Sequence, residues 1–419
     1  MKKYAIICVL LISAFGLLSA EDTPHRKSWE IGSDLGVGLA NNMLGLSDIL
    51  NKEQKIVLDL NKLTTDLGDK DAMLGIDLFG DAFLNLTIKE RYFLSFYVGV
   101  DGGLNLGLGK SIMEFVSRGN IDNHSLNGDI INISGGVFAE MGAGFSTRLP
   151  ILADKLKVGG SLAYYIPLFY IPKGSISYDL DMETGIKIGA AADFKVFSPI
   201  SGAFTGEEIN VGDIFGAGGV DFSLQAEYLL PLSAVNLALG LNFTHIPLVP
   251  ATMKNGFGVS LDELEIDISD PMSAFTGGGF MEEITDKLSN IAPKLGAFSG
   301  ASQTALRPMK MDIYADYRPF IKFPDLLLVR PNIGFTAVYP DPDEAHFNIG
   351  VLVKTSLVKN IFNIYMAMGV DGGVCKNRIG LGLNFRAAEF LLEVSGKSQN
   401  FEKSFSSGFG LTVGTRFGW

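Results

Sequence analysis

Hydrophobic and polar residues alternate along most of this chain with a period of two. From Leu74 to Ile88 the even positions read Leu74, Ile76, Leu78, Gly80, Ala82, Leu84, Leu86 and Ile88, while the odd ones carry Asp77, Asp81, Asn85 and Thr87 among Gly75, Phe79 and Phe83. A charged turn, Lys89-Glu90-Arg91, follows, and Tyr92 to Leu108 repeats the rule. So do Ile131–Phe145, Val220–Tyr228 and Val235–Phe243, and later stretches near Met309–Tyr317, Leu327–Tyr339, Phe347–Val353, Phe362–Val370, Ile379–Phe385 and Phe390–Val394. A β-strand turns successive side chains to opposite faces, so each stretch predicts a strand with one apolar and one polar side.

Two architectures share that alternation, a water-soluble sandwich and a barrel in lipid. The apolar faces hold no charged residue, and the other faces mix Gly, Ser, Asn and Ala with charges of both signs. That composition suits a crowded lumen better than a water-exposed sheet. Hydrophobic residues make up 47% of the chain. Yet after Ala20 there is no uninterrupted apolar run of roughly 18 residues, as a membrane helix needs. In lipid, the other fold that satisfies every backbone N–H and C=O is a closed barrel. The predicted fold is therefore all-β: a transmembrane, antiparallel, up-and-down β-barrel with short helical segments in loops or lumen.

Both ends agree with export to an outer membrane. Lys2 and Lys3 precede an uncharged apolar stretch, Tyr4 to Leu18, and Leu18-Ser19-Ala20 supplies small residues for cleavage. Residues 1–20 thus read as a signal peptide, and 21–419 as the barrel. Phe409, Leu411, Val413, Phe417 and Trp419 alternate with Gly410, Thr412, Gly414, Arg416 and Gly418. This resembles the closing strand of outer-membrane proteins, which implies the barrel-assembly machinery and outer-membrane lipid as partners.

Short connections at Lys89–Arg91, Pro150–Lys155, Pro231–Ala234, Pro319–Asp325, Leu357–Asn360 and Arg386–Glu389 read as periplasmic turns. Longer ones, among them Gly109–Gly128, Pro247–Pro308 and Asp371–Asn377, read as outer loops. Counting a first strand at Trp29–Leu39, about 14 strands result. Ser175–Val196 alternates for longer than one crossing requires. It is either a hairpin projecting above the membrane or two further crossings, which would make 16. Irregular or helical insertions are expected at 41–67 and 247–308. In the second, Phe280, Ile284, Leu288 and Ile291 share a helical face, as a rim helix or a plug.

The formal net charge is −12, and loss of Lys2 and Lys3 with the leader makes it more negative. That argues against nucleic acid as a partner. Cys375 is the one cysteine beyond the leader, and His25, His124, His245 and His346 are scattered. No metal site and no cofactor is predicted. Asp341, Asp343 and Glu344, and Asp262 to Asp270, read as solvated acidic loops rather than calcium sites. His245 has lipid-facing parity, but no serine and acid can be matched to it, so no catalytic residue is assigned.

The candidate lumen residues are Asp77, Asp81, Asp101, Glu140, Asp221 and Glu227 from the first half, and Arg318, Arg330, Lys354, Arg378, Arg386 and Arg416 from the second. Acids early and cations late place opposite signs on opposite walls of a ring. Either they set a transverse field that orients polar solutes, or they pair with one another and fill the barrel. The pentapeptide Gly-Val-Asp-Gly-Gly at 99–103 and again at 369–373 reads as a device for curvature.

About 14 strands in a chain of this length, with the irregular stretch Asn41–Leu67 near its start, is similar to the long-chain fatty-acid transporter family. That resemblance implies passage of a hydrophobic substrate past an N-terminal hatch. The family's Asn-Pro-Ala hatch motif is absent, Asn41-Asn42-Met43 standing instead. Inward aromatics (Phe79, Phe83, Tyr97, Phe138 and Tyr165) would suit an apolar, fatty-acid-like ligand. The expected function is a channel or uptake barrel for small solutes or hydrophobic substrates. The alternative is a surface adhesin or antigen anchored by the barrel.

Overall fold

The computed structural model describes residues 27–42, 64–65, 67, 71–118, 125–150, 152–181, 186–199, 211–232, 235–268, 295–320, 324–337, 345–385, 387–398, 401, 404 and 408–419. Among them are seventeen strands: β1 (Trp29–Asn41), β2 (Ala72–Ile88), β3 (Tyr92–Leu108), β4 (Ser125–Leu149), β5 (Leu156–Asp181), β6 (Ile186–Phe197), β7 (Gly219–Pro231), β8 (Val235–Val249), β9 (Ala251–Ile268), β10 (Leu295–Ala305), β11 (Met309–Pro319), β12 (Leu326–Ala337), β13 (His346–Leu357), β14 (Phe362–Asp371), β15 (Val374–Phe385), β16 (Ala388–Ser398) and β17 (Phe409–Gly418). Two short helices, α1 (Lys110–Arg118) and α2 (Val211–Gly216), lie in connections.

The pairings close a ring. From β1 through β5, then β7, β8 and β11 to β17, each strand is antiparallel to the next, and β17 pairs with β1 from Leu39↔Phe409 to Glu30↔Gly418. That ring has fourteen strands. The remaining three do not cross. β6 pairs with the far half of β5, β9 pairs with β6, and β10 pairs with β9. The alternating stretch after Ser175 is thus a projecting hairpin, and the sixteen-strand alternative is set aside.

Strand length explains this. A crossing takes about 9–11 residues, whereas β4 has 25 and β5 has 26. Their outer halves continue past the ring and carry β6, β9 and β10 as one sheet. Residues 251–268 and 295–305, expected to be irregular or helical, are strands of this sheet. The segment with Phe280, Ile284, Leu288 and Ile291 lies outside the described residues, as do 1–20 and most of 41–67.

The two faces of the ring differ as the alternation requires. Leu35, Phe96, Leu239 and Val413 are exposed by 46–48% on the outside, and neighbouring strands repeat the pattern. Apolar exposure of this extent on every side belongs in lipid. Each such side chain gains about 1.5–3 kcal/mol by leaving water. Aromatics edge the belt near the short turns, at Trp29, Tyr92, Phe362, Phe385, Phe417 and Trp419, as interfacial girdles do.

The turns follow from backbone geometry. Lys89 and Glu90 both have positive φ (52° and 53°), and the Arg91 N–H donates to the Ile88 carbonyl at 3.2 Å. Ile88 pairs with Tyr92, so Lys89, Glu90 and Arg91 form a tight three-residue turn from β2 into β3. At the other end, Asp371–Asn377 is no long loop. Gly372 and Gly373, at φ 57° and 77°, turn directly from β14 into β15.

Candidate functional site

The lumen wall is built first from glycine and aromatic pairs. Directly paired across strands are Gly32 and Phe83, Gly36 and Phe79, Tyr97 and Gly142, and Gly240 and Tyr314. In each pair the ring lies where a Cβ on the glycine would stand. Phe83 and Tyr97 are buried this way, and Phe138 and Tyr165 pack on each other. Four of the five inward aromatics are therefore consumed in wall packing. Phe79 stays partly exposed.

The outer part of the lumen holds a charged hub that was not anticipated. Arg307 lies in the three-residue connection between β10 and β11, and its side chain is 1% exposed. Its Nε donates to Asp221 Oδ2 at 2.8 Å, and Nη1 is ion-paired with Glu140 and lies 3.8 Å from Asp101 Oδ1. The guanidinium sits 5.1 Å from the Tyr165 ring centroid. Tyr165 Oη in turn donates to the Ala305 carbonyl at 3.2 Å and accepts from the Ala251 N–H at 3.3 Å. Phe138, Tyr170, Phe197, Met253 and Ala217 close around these groups. The junctions of β8 with β9 and of β10 with β11 are thereby drawn into the barrel against β3, β4, β5 and β7. Arginine suits this place, since it stays charged when buried and offers a planar fork to several carboxylates.

A second cluster lies toward the short turns. Asp316, fully buried, accepts from Arg330 Nη2 at 2.8 Å and Arg318 Nη2 at 3.0 Å. Arg330 lies 4.8 Å from the centroid of Tyr314, whose hydroxyl donates to Glu227 at 3.0 Å. The remaining predicted residues are also engaged. Asp77 pairs with Lys397, and Asp81 accepts from the Asp34 N–H at 3.0 Å. Arg416 is 3.5 Å from Asp34, and Lys354 Nζ is 5.0 Å from the Tyr365 ring centroid. Arg378 is 3.7 Å from Glu393. Arg386 lies outside the described residues. Charges that suggested two opposed walls are thus mostly compensated by near neighbours, which weakens any field across the lumen.

The wall formed by β13 to β17 leaves a cavity of about 220 Å³, bordered by Asn363, Tyr365, Arg378, Glu389, Glu393 and Arg416. His245 is not on the lipid side. A bulge in β8, marked by φ 57° at His245 and a register shift opposite Phe222 and Leu224, re-aims it. Its Nδ1 lies 3.2 Å from the Pro308 carbonyl, and Ser223 Oγ meets its backbone N–H rather than its ring. Among the described residues no group of His, Cys, Asp and Glu side chains is arranged to hold a metal ion. Asp341, Asp343 and Glu344 lie outside them.

Comparison with known proteins adds the following. The family described as "Family of unknown function (DUF5723)" matches residues 23–219, which span β1 to β6. No curated protein matches the chain. Among solved structures it is similar to the P. putida toluene transporter TodX (9% identity, 98% of this chain and 93% of that one, TM-score 0.42). It is also similar to a Pseudomonas aeruginosa FadL homologue (8%, 93% and 90%, TM-score 0.42). A third is the translocator domain of the autotransporter NalP from Neisseria meningitidis (9%, 95% and 90%, TM-score 0.39). Likenesses at this level assign no substrate. The closed ring, apolar outside and polar within, makes the protein a β-barrel of the bacterial outer membrane.

Proposed function

We propose that the protein is a transport barrel in which small solutes cross the outer membrane beside an internal constriction. The observation that carries this reading is the unequal filling of the lumen. The β3–β7 side is occupied by the strand junctions locked through Arg307, while the β13–β17 side keeps a cavity bordered by both charged and apolar groups. A pure anchor has no need of such a division. The lining favours small polar solutes over a long apolar ligand, because the buried rings are already in contact with one another or with glycine backbone.

Planar-bilayer recording of the refolded protein tests this. Wild type should conduct in small, steady steps. Arg307→Ala, which unties the junctions from Glu140 and Asp221, should raise the step size several-fold, and Arg307→Lys should fall between. Silence in all three forms would refute transport. The alternative, a surface-binding protein, draws support from the sheet carried beyond the ring on β4 and β5. It expects cells displaying the intact barrel to adhere to surfaces, and that adhesion to vanish when β6, β9 and β10 are removed.

A further inference from the structure

We infer that the cavity on the β13–β17 wall is a binding site for a small zwitterion, an ammonium carboxylate of roughly amino-acid size, with Arg378 holding the carboxylate and Glu393 the ammonium. The site gains its purpose from the transport reading above, although its geometry stands apart from it.

Small residues border the cavity, though each glycine also makes room for a neighbour: Asn363 and Tyr365 stand over Gly382, and the Asp34 carboxylate over Gly414. Gly382 and Gly414 face it from β15 and β17, and Ala367 from β14. Its volume is about 220 Å³, space for many waters. An amino-acid-sized solute therefore fits with room to spare.

Its charges are set out in pairs of unequal tightness. Glu389 is held by Lys27 at 2.9 Å, and Asp34 stands beside Arg416 at 3.5 Å. Arg378 and Glu393 are diagonal neighbours on β15 and β16, since Arg378 is opposite Ser395 and Gly380 opposite Glu393. They stand 3.7 Å apart, with the Arg378 side chain 56% exposed to the lumen. A charge-assisted hydrogen bond closes to about 2.7–2.9 Å, so this pair is Coulombic and leaves both forks facing the cavity. A guanidinium offers parallel N–H groups that match a carboxylate.

The pairing also decides the class of ligand. A bare anion on Arg378 would sit against Glu393 and Glu389. A bare cation on Glu393 would sit against Arg378 and Arg416. A molecule bearing both signs replaces the loose pair with two close ones and strands neither partner.

Saturation-transfer NMR on the full refolded protein in detergent micelles tests the site, with L-alanine, acetate and ethylammonium as probes. The expected result is saturable transfer to L-alanine, exceeding that to either half-probe. Arg378→Gln and Glu393→Gln should each weaken it about tenfold, the factor for losing one charge-assisted hydrogen bond. Ala367→Leu, whose larger side chain grows into the cavity beside Arg378 on the paired strand, should weaken it comparably. Lys376→Gln, on the same strand but outside the cavity, should leave it unchanged. Absence of saturable transfer, equal transfer in wild type and Arg378→Gln, or acetate binding as well as L-alanine would each overturn the inference. The bilayer recordings separate the two claims. A conducting barrel without L-alanine binding keeps transport and loses the site. A silent barrel that binds L-alanine loses transport and keeps the site.

Discussion

Gly32, Gly36, Gly142 and Gly240 lack side chains because a ring from the paired strand occupies each space. In a closed lumen the wall cannot bend away from a clash, so large and small residues must alternate between neighbours as they do around any tapered interior. Charges obey a similar economy, and it separates two arginines that look alike in the sequence. Arg330 binds both oxygens of the fully buried Asp316, whereas Arg378 touches Glu393 only at 3.7 Å and is half exposed. Breaking a buried pair by removing one partner costs about 3–5 kcal/mol. Arg330→Glu should therefore unfold at markedly lower denaturant concentration than wild type, read by the heat-dependent gel shift of the folded barrel. Arg378→Glu should fold normally and move the reversal potential in a salt gradient toward cations. Equal stability of both variants would show that the Asp316 cluster contributes little.

The strands themselves were legible from alternation, because a ring bathed in lipid demands an apolar residue at every second position. Most crossings and their short turns follow from that rule, though it left the count open between fourteen and sixteen. What escaped it had no such constraint. Arg307 stands in a three-residue connection with no period, so only an arginine before Pro308 marked the place. His245 was assigned to the lipid side because parity presumes an unbroken strand, and a bulge adds one residue. The repeated Gly-Val-Asp-Gly-Gly shows the same limit. At 99–103 it lies inside β3, where a Cβ on Gly102 would strike the backbone of Gly136 and Val137. At 369–373 its last two glycines form the turn into β15, where positive φ is required. The outer sheet obeys alternation but lies beyond the membrane, which periodicity does not distinguish. That placement can be checked in a Cys375→Ser background, which removes the buried native thiol. A cysteine at Asp179, in the projecting half of β5, should react on intact cells with a membrane-impermeant maleimide. A cysteine at Gly159, where β5 pairs with β7 within the ring, should not. Protection of position 179 would mean that the β5–β6 hairpin folds over the lumen.

Closure at the β1–β17 seam turns this long meander into one molecule without an open edge in lipid, where each unpaired backbone group costs several kcal/mol. The seam is tied along its length. Ser33 and Thr415 are paired outward with hydroxyls 3.3 Å apart, Asp34 and Arg416 approach within the lumen, and the Trp419 N–H donates to the Trp29 carbonyl at 3.1 Å. Directly opposed residues on antiparallel strands bring their Cα atoms within about 4.5–5.5 Å, inside the range a disulfide spans. Ser33→Cys with Thr415→Cys, again with Cys375→Ser, should therefore oxidise readily in the refolded barrel. The product links residues 382 positions apart, so after heat denaturation it should migrate as a compact looped chain, and reduction should restore the linear mobility. Moving one cysteine to Val413, which faces Leu35 rather than Ser33, should abolish the link. Efficient cross-linking at 33 with 413 instead of 415 would mean a seam slipped by two residues, which changes the shear of the ring and, with it, the width of the lumen on which both the Arg307 constriction and the Arg378 cavity depend.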